Sequence, residues 1–338
     1  YLYPNNEAIF SYIVEKFNVP YQLLDEQWHD IRDYKDDFSQ YGNIVHLINK
    51  RFDMFFNNKS KIIFSLFIDI PKSKLDNPGS YPGDDLTKSE RTKKEFIDHY
   101  DSLLENKKQY AKLCDADFHM YEYDNEYEQF ASKYSFLSEY NIVNLYKIHL
   151  MYKLSKSYDY ILYLDFDVMF HTPASFFNHH DLDQYIFCQY KNVRDIAKLD
   201  TESYPFDYRS PLMKSLNCKA MLEDHDIDCP DIAFNTGIVG ASSSLLNQMD
   251  YMSDIDSVLQ HMTDLKNDDY SMYPARIRAQ FGWDNESIFG YKIFMNDVPY
   301  KSLSRLWHYR LEERSPSVLM INEHQPFLIH FIVCLLYT

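Results

Sequence analysis

Tyr160-Ile-Leu-Tyr-Leu-Asp-Phe-Asp-Val-Met-Phe170 joins an uninterrupted apolar run to an Asp-x-Asp pair. Ile161-Leu-Tyr-Leu164 leaves no polar position for a solvent face, the pattern of a strand covered on both sides. Asp165 and Asp167 stand at its carboxyl end, with Phe166 between them facing the other way. Hard divalent cations such as Mg²⁺ and Mn²⁺ prefer carboxylate oxygen, so an Asp-x-Asp pair can hold one. As a bare string the pair carries little weight. The chain has 35 Asp in 338 residues, and six such pairs occur (115/117, 165/167, 181/183, 224/226, 226/228, 254/256), against roughly 3 to 4 expected by chance. Only 165/167 directly follows a buried strand, where a carboxylate is costly unless a cation or hydrogen bonds compensate it. The pairs from Asp181 to Asp183 and Asp224 to Asp228 lie in polar stretches that turn chemistry explains.

Outward from this stretch the chain alternates. Upstream, Lys61–Asp69 is a second continuous apolar run, followed by a Pro- and Gly-bearing loop over Pro71–Asp85. Thr87 or Ser89 can cap a long helix from Glu90 to Leu113; Asp117–Tyr123 reads as a strand and Ser138–Lys156 as a second long helix. Downstream, Gln184–Tyr190 is a further strand, 191–230 a long loop with short helices, Ile232–Ala241 a strand, and Ser243–Met262 a helix. Ser287–Met295 reads as helix or strand and Leu328–Leu336 as a late buried strand. Glu7–Phe17, Leu23–Asp37 and Ile44–Phe56 carry apolar residues at spacings of three and four, predicting a helical N-terminal extension over 1–57. Strand-helix-strand alternation predicts an α/β domain with a mostly parallel central sheet flanked by helices, its ligands bound beyond the carboxyl ends of the strands. Residues 58–190 would form the half that binds the phosphorylated donor and 191–338 the acceptor-binding half of the same domain.

Composition narrows the chemistry. Seven glycines make up about 2% of the chain against an average of roughly 7%, and none has the company that a Gly-x-Gly-x-x-Gly loop or a P-loop needs. A formal charge of -17 argues against nucleic acid or an anionic membrane as partner, and an acidic chain that handles phosphates needs a cation between itself and them. Five cysteines without a Cys-x-x-Cys pair speak against a disulfide framework or a structural zinc site. The longest apolar run, Pro326 to Tyr337, is too short to span a bilayer. The chain opens on Tyr1 and not Met, compatible with removal of a signal or anchor; the reading leans to the cytoplasm, with the Golgi lumen open.

Asn144 to Phe170, with Pro173 and Phe176-Phe177 after it, resembles the nucleotide-sugar glycosyltransferases of the GT-A fold. It is most similar to the retaining glycogenin and lipopolysaccharide galactosyl- and glucosyltransferases: a basic residue on a helix, Tyr-Asp-x-Ile-Leu-Tyr-Leu-Asp-x-Asp, then an aromatic pair. Three later segments fall in the family's order: Phe234-Asn-Thr-Gly-Ile-Val-Gly240, Gly282-Trp-Asp-Asn-Glu-Ser-Ile-Phe289 and Leu328-Ile-His-Phe331. The match is close over 144–177 and loose from Lys61 onward.

The resemblance implies a Rossmann-like GT-A domain in which Asp165, Asp167 and His330 ligate Mn²⁺ or Mg²⁺ on the diphosphate of a nucleoside-diphosphate sugar, UDP ahead of GDP. Lys147, Asp165, Asn235, Gly237 and Asn285 would contact the donor, and Asp284 and Glu286 would lie nearest the anomeric carbon. Under retention Asp284 would stabilise the oxocarbenium-like state; under inversion Asp284 or Glu286 would be the base. His171 is a weaker candidate ligand. The implied reaction is hexose transfer to a glycan or protein hydroxyl, with retention. The family's Lys after the metal-binding His is missing, since Phe331-Ile-Val-Cys-Leu follows His330, so its role is vacant, passes to Lys301, Arg305 or Arg310, or lies beyond Thr338. The alternatives are an inverting transferase, a metal-dependent nucleotidyltransferase or phosphohydrolase, and a non-catalytic glycan-binding module.

Overall fold

The chain divides by its internal contacts into Tyr1–Asn58 and Lys59–Thr338. The computed structural model describes residues 16, 30–32, 45–47, 59–71, 88–193, 210–267, 273–311 and 325–331. In the first unit β1 (Asp30–Arg32) pairs in parallel with β2 (Val45–Leu47), Ile31 opposite His46. This corrects the helical reading of Leu23–Asp37 and Ile44–Phe56 at these positions. Asp-Ile-Arg and Val-His-Leu each alternate polar and apolar, a short period-two signal that the broader spacing of three and four masks. Lys16 is helical, and the rest of the helical reading over 1–57 lies outside the described residues.

The second unit carries β3 (Lys61–Phe67), β4 (Asp117–Glu122), β5 (Tyr160–Leu164), β6 (Val168–Phe170), β7 (Ile186–Asn192), β8 (Ile232–Ser242), β9 (Tyr300–Ser302), β10 (Tyr309–Leu311) and β11 (Leu328–Phe331). Six of them form a central sheet in the order β4-β3-β5-β8-β7-β9. The pairs β4–β3, β3–β5 and β7–β9 are parallel, while β8 runs antiparallel to both of its neighbours. This is a mixed α/β fold with a mostly parallel sheet flanked by helices. The continuous apolar runs have their physical outcome in two cores. Ile62, Phe64, Leu66, Ile161 and Tyr163 pack into one; Ile63, Leu162 and Leu164 pack into the other. Adjacent residues of one strand thus face opposite layers, and neither face meets solvent.

The flanking helices differ from the sequence reading in where they break. Glu90–Leu113 is two helices, Lys88–Asp98 and Tyr100–Leu113, interrupted at His99. Ser243–Met262 is Ser243–Met249 and Ile255–Asn267, the first closed by Asp250 in the left-handed region at φ 45°. Within 191–230, read as a long loop with short helices, the described residues include one helix of 13 residues, Pro211–Glu223. Its start was legible: Pro211 needs no amide partner in the first turn, and Ser210 Oγ accepts from the Met213 amide at 3.3 Å. Ser287–Met295 resolves as helix, beginning at Asn285. The strand at Leu328 is described as far as Phe331. No helix among the described residues is long and apolar enough to cross a membrane.

Candidate functional site

Beyond Leu164 the chain leaves β5 in a tight turn, the Val168 amide donating to the Asp165 carbonyl at 3.0 Å, and continues as β6. In a separate three-stranded sheet, β11 runs antiparallel to β6 and parallel to β10, with His330 opposite Val168 and opposite Arg310. The Phe331 amide donates to the Asp167 carbonyl at 3.0 Å. This ladder brings a histidine from the far end of the chain beside the aspartates. His330 Nε2 lies 3.2 Å from Asp167 Oδ1 and 3.6 Å from Asp165 Oδ2. One ligand atom from each of the three residues lies within 4.8 Å of the other two.

Two carboxylates and an imidazole form a donor set suited to Mn²⁺ or Mg²⁺. The backbone opposite leaves the ligands their space. Gly237 sits on β8 with its carbonyl accepting from the Asp165 amide at 2.8 Å. A Cβ at that position would stand 2.5 Å from His330 Cε1 and 2.7 Å from Asp165 Oδ2. A side chain there would displace the very groups that would hold a cation, so the residues present fit one.

Around this cluster the charges are arranged from four segments. Tyr163, two positions before Asp165 on the same strand face, donates its hydroxyl to Asp165 Oδ1 at 2.6 Å. Burial, and then the Asp165 charge, raise its pKa well above the usual phenol value, so it stays a donor. Lys147, buried on the helix Glu139–Leu154, places Nζ 3.7 Å from Asp165 Oδ1 and 5.2 Å from the Tyr163 ring centroid. Lys107, buried on the helix Tyr100–Leu113, donates to the carbonyls of Phe166 and Val168 at 2.6 and 2.8 Å, clamping the turn on either side of Asp167. Burial pulls its ammonium down to about 7, opposed by the Asp167 and Asp165 charges. His330 is buried, which disfavours its charged form, but Asp167 and then Asp165 outweigh this and hold its pKa above the usual value. Its other ring nitrogen, Nδ1, lies 2.8 Å from His308 Nε2.

The segment Asp284-Asn-Glu286 forms a second polar cluster. Asp284 is the N-cap of the helix Asn285–Met295: Oδ1 accepts from the Ser287 amide at 2.8 Å and Oδ2 from the Ser287 hydroxyl at 2.6 Å. It is 2% exposed, and burial raises its pKa. Glu286 Oε2 pairs with Lys214 on the helix Pro211–Glu223, and Oε1 accepts from the Thr236 amide at 2.9 Å. That amide is available because the β7–β8 register jumps between Cys188, opposite Val239, and Gln189, opposite Asn235. Asn285 donates Nδ2 to Thr236 Oγ1 at 2.8 Å, while Asn235 Oδ1 accepts from the Gly237 amide at 3.1 Å. The two clusters therefore flank β8 at successive residues, Glu286 bonded at Thr236 and the Asp–Asp–His triad packed at Gly237.

The structure thus brings Lys147, Asp165, Asp167, Gly237 and His330 together, and gathers Asn285 and Glu286 at Thr236 with Asp284 capping their helix. His171 is exposed and stands outside the triad. Of the three candidate replacements for the family lysine, Lys301 lies 3.8 Å from the Tyr185 ring centroid and Arg305 5.2 Å from that of Tyr309. Arg310 is the one whose charge acts on His330. Sequence reasoning missed Tyr163, Lys107, His308, Lys214 and Thr236. Tyr163 had a signal, its period-two relation to Asp165, and Thr236 lies between the candidates Asn235 and Gly237; Lys107, His308 and Lys214 reach the site only through folding.

No family model matches the chain, and no curated protein matches its sequence. Among solved structures it is similar to a glycosyltransferase involved in the glycosylation of the major capsid of PBCV-1, with a TM-score of 0.35 and 12% identity over 81% of this chain and 93% of that one. It is also similar to mouse xyloside xylosyltransferase 1 in its apo form, with a TM-score of 0.36 and 10% identity over 81% of this chain and 98% of that one. The site's own geometry carries the functional reading that follows.

Proposed function

We propose that this chain is a metal-dependent glycosyltransferase that moves a hexose from a nucleoside-diphosphate sugar, UDP ahead of GDP, to a glycan or protein hydroxyl with retention. The observation that carries this reading is the convergence of Asp165, Asp167 and His330 at the carboxyl end of a buried strand, with Gly237 leaving room beside them. These three side chains would hold Mn²⁺ or Mg²⁺, which when bound supplies positive charge against the departing nucleoside diphosphate.

The chain's own groups do the rest. Lys107 fixes the turn that carries Asp167, and Tyr163 and Lys147 orient Asp165. Arg310, opposite His330 in the β10–β11 ladder, takes the diphosphate role that the family gives to its lysine. Asn235 has its amide nitrogen to donate to a sugar hydroxyl. Retention is supported by the state of the two buried acids. Glu286 has both oxygens engaged by Lys214 and Thr236, and Asp284 has both engaged by Ser287. Both acids thus hold folded-state partners, an arrangement that fits retention, in which neither has to take the acceptor's proton.

The test is turnover of UDP- and GDP-hexoses with Mn²⁺, followed as nucleoside diphosphate released. Wild type should turn over a donor, EDTA should stop it, and Asp167→Ala should leave no measurable rate. Unchanged turnover in Asp167→Ala overturns the assignment. Turnover of nucleoside triphosphates or phosphate esters in place of sugar donors would reassign the same carboxylates to a nucleotidyltransferase or phosphohydrolase.

A further inference from the structure

We infer that His308 is the positioning residue that decides whether His330 can bind a cation, by holding the proton of His330 on Nδ1. The inference rests on the metal reading above. A neutral imidazole carries one ring proton, and a nitrogen that ligates a metal must be the bare one. Nε2 of His330 is the atom turned toward Asp165 and Asp167, so for ligation the proton must sit on Nδ1 and must find an acceptor. The described acceptor is His308 Nε2 at 2.8 Å, from a ring inclined 27° to that of His330 with centroids 5.0 Å apart. Metal-bound histidines usually anchor this proton on a carboxylate, carbonyl or water; here a second imidazole does it.

His308 is built to stay in place. It is fully buried, its amide donates to the Ser304 carbonyl at 3.1 Å, and its carbonyl accepts from Gln189 Nε2 at 3.4 Å. The pair has two neutral arrangements. In one, His308 donates Nε2–H to His330 Nδ1, and the His330 proton lies on Nε2 against Asp167, closing the site to a cation. In the other, each ring carries its proton on Nδ1: His330 donates to His308 Nε2, and the His330 Nε2 lone pair faces the carboxylates. The total number of protons is the same in both. A cation therefore selects the second arrangement, in which His308 Nε2 is the acceptor that the described residues provide for the His330 proton.

Mn²⁺ binding to the full chain, read as loss of the free-ion electron paramagnetic resonance signal, tests this with two variants. His308→Leu removes the acceptor while filling the space, and His308→Gln returns an oxygen to the position of Nε2. The expected result is an affinity about 10- to 100-fold weaker for His308→Leu, with His308→Gln within about threefold of wild type. Wild-type affinity in a folded His308→Leu, or equal losses in both variants with unchanged thermal unfolding, overturns the inference. If His308→Leu fails to fold, the tautomer is read on wild type by ¹⁵N NMR with Mg²⁺ bound. A His330 protonated at Nδ1 and bare at Nε2 supports the inference, and the reverse overturns it. Failure of wild type to bind any divalent cation instead brings down the metal reading, and this inference with it.

Discussion

Gly237 and Asp284 show how differently two residues from neighbouring segments serve the site. At Gly237 an added methyl would meet His330 and Asp165 at 2.5 and 2.7 Å, with little freedom to yield because both side chains are packed or hydrogen bonded. Gly237→Ala is expected to weaken Mn²⁺ binding and activity together and to cost about 1–3 kcal/mol of stability through overpacking, measured by titration and urea unfolding. Normal Mn²⁺ affinity in this variant would mean that the triad is not where the cation binds. Asp284 has a structural occupation in the N-cap, which asparagine can share. Asp284→Asn should keep stability near wild type, and Asp284→Ala should lose about 1 kcal/mol. Activity should follow stability in this pair; loss of turnover in a fully stable Asp284→Asn would make Asp284 a reacting group.

At the scale of elements, the turn after β5 is held from both sides, by Lys107 beneath it and by β11 alongside. The short helix Phe176–His179 packs its aromatic pair under the same region, and its following residue, His180, stacks on Phe176 and meets Phe187 and Trp307 edge-on. Burial lowers the His180 pKa from 6.5 to about 4. The sign follows directly: between pH 4 and 6.5 the unfolded chain binds a proton that the folded chain refuses, so this group makes stability rise with pH across that window. The shift corresponds to about 3 kcal/mol. Denaturation profiles of wild type and His180→Phe should diverge over pH 4–6.5, the variant showing the shallower slope. Parallel profiles would mean that His180 is not buried as a neutral ring.

For the molecule as a whole, the candidate cation site joins two sheets, since Asp165 belongs to the end of the central sheet and His330 to the small one. A cation held there would bind the folded state and not the unfolded one. At a concentration of 100 times its Kd, Mn²⁺ should therefore add about 2.7 kcal/mol of stability and raise the thermal midpoint. Asp165→Asn and Asp167→Asn should abolish that increment, independently of any donor sugar. An equal rise in these variants would place the binding elsewhere on this acidic surface.

Some of this protein was fixed by local sequence. The apolar run of Ile161-Leu-Tyr-Leu164 had to be a doubly covered strand, because no residue in it tolerates a wet face, and Asp165 and Asp167 therefore had to emerge at its end. The α/β alternation, the long helix ahead of β5 and the exclusion of glycine phosphate loops were equally local. What only tertiary structure decided is who stands beside those carboxylates. Lys107 and His308 look like any other residues in their own segments, and acquire a role because a helix and a parallel ladder carry them to the turn. The same holds for Glu286, whose partners Lys214 and Thr236 come from distant segments, whereas the cap between Asp284 and Ser287 is local. The apolar pattern of each strand is written in neighbouring residues, whereas strand pairing and hydrogen-bond partners across the chain depend on packing that no local pattern encodes.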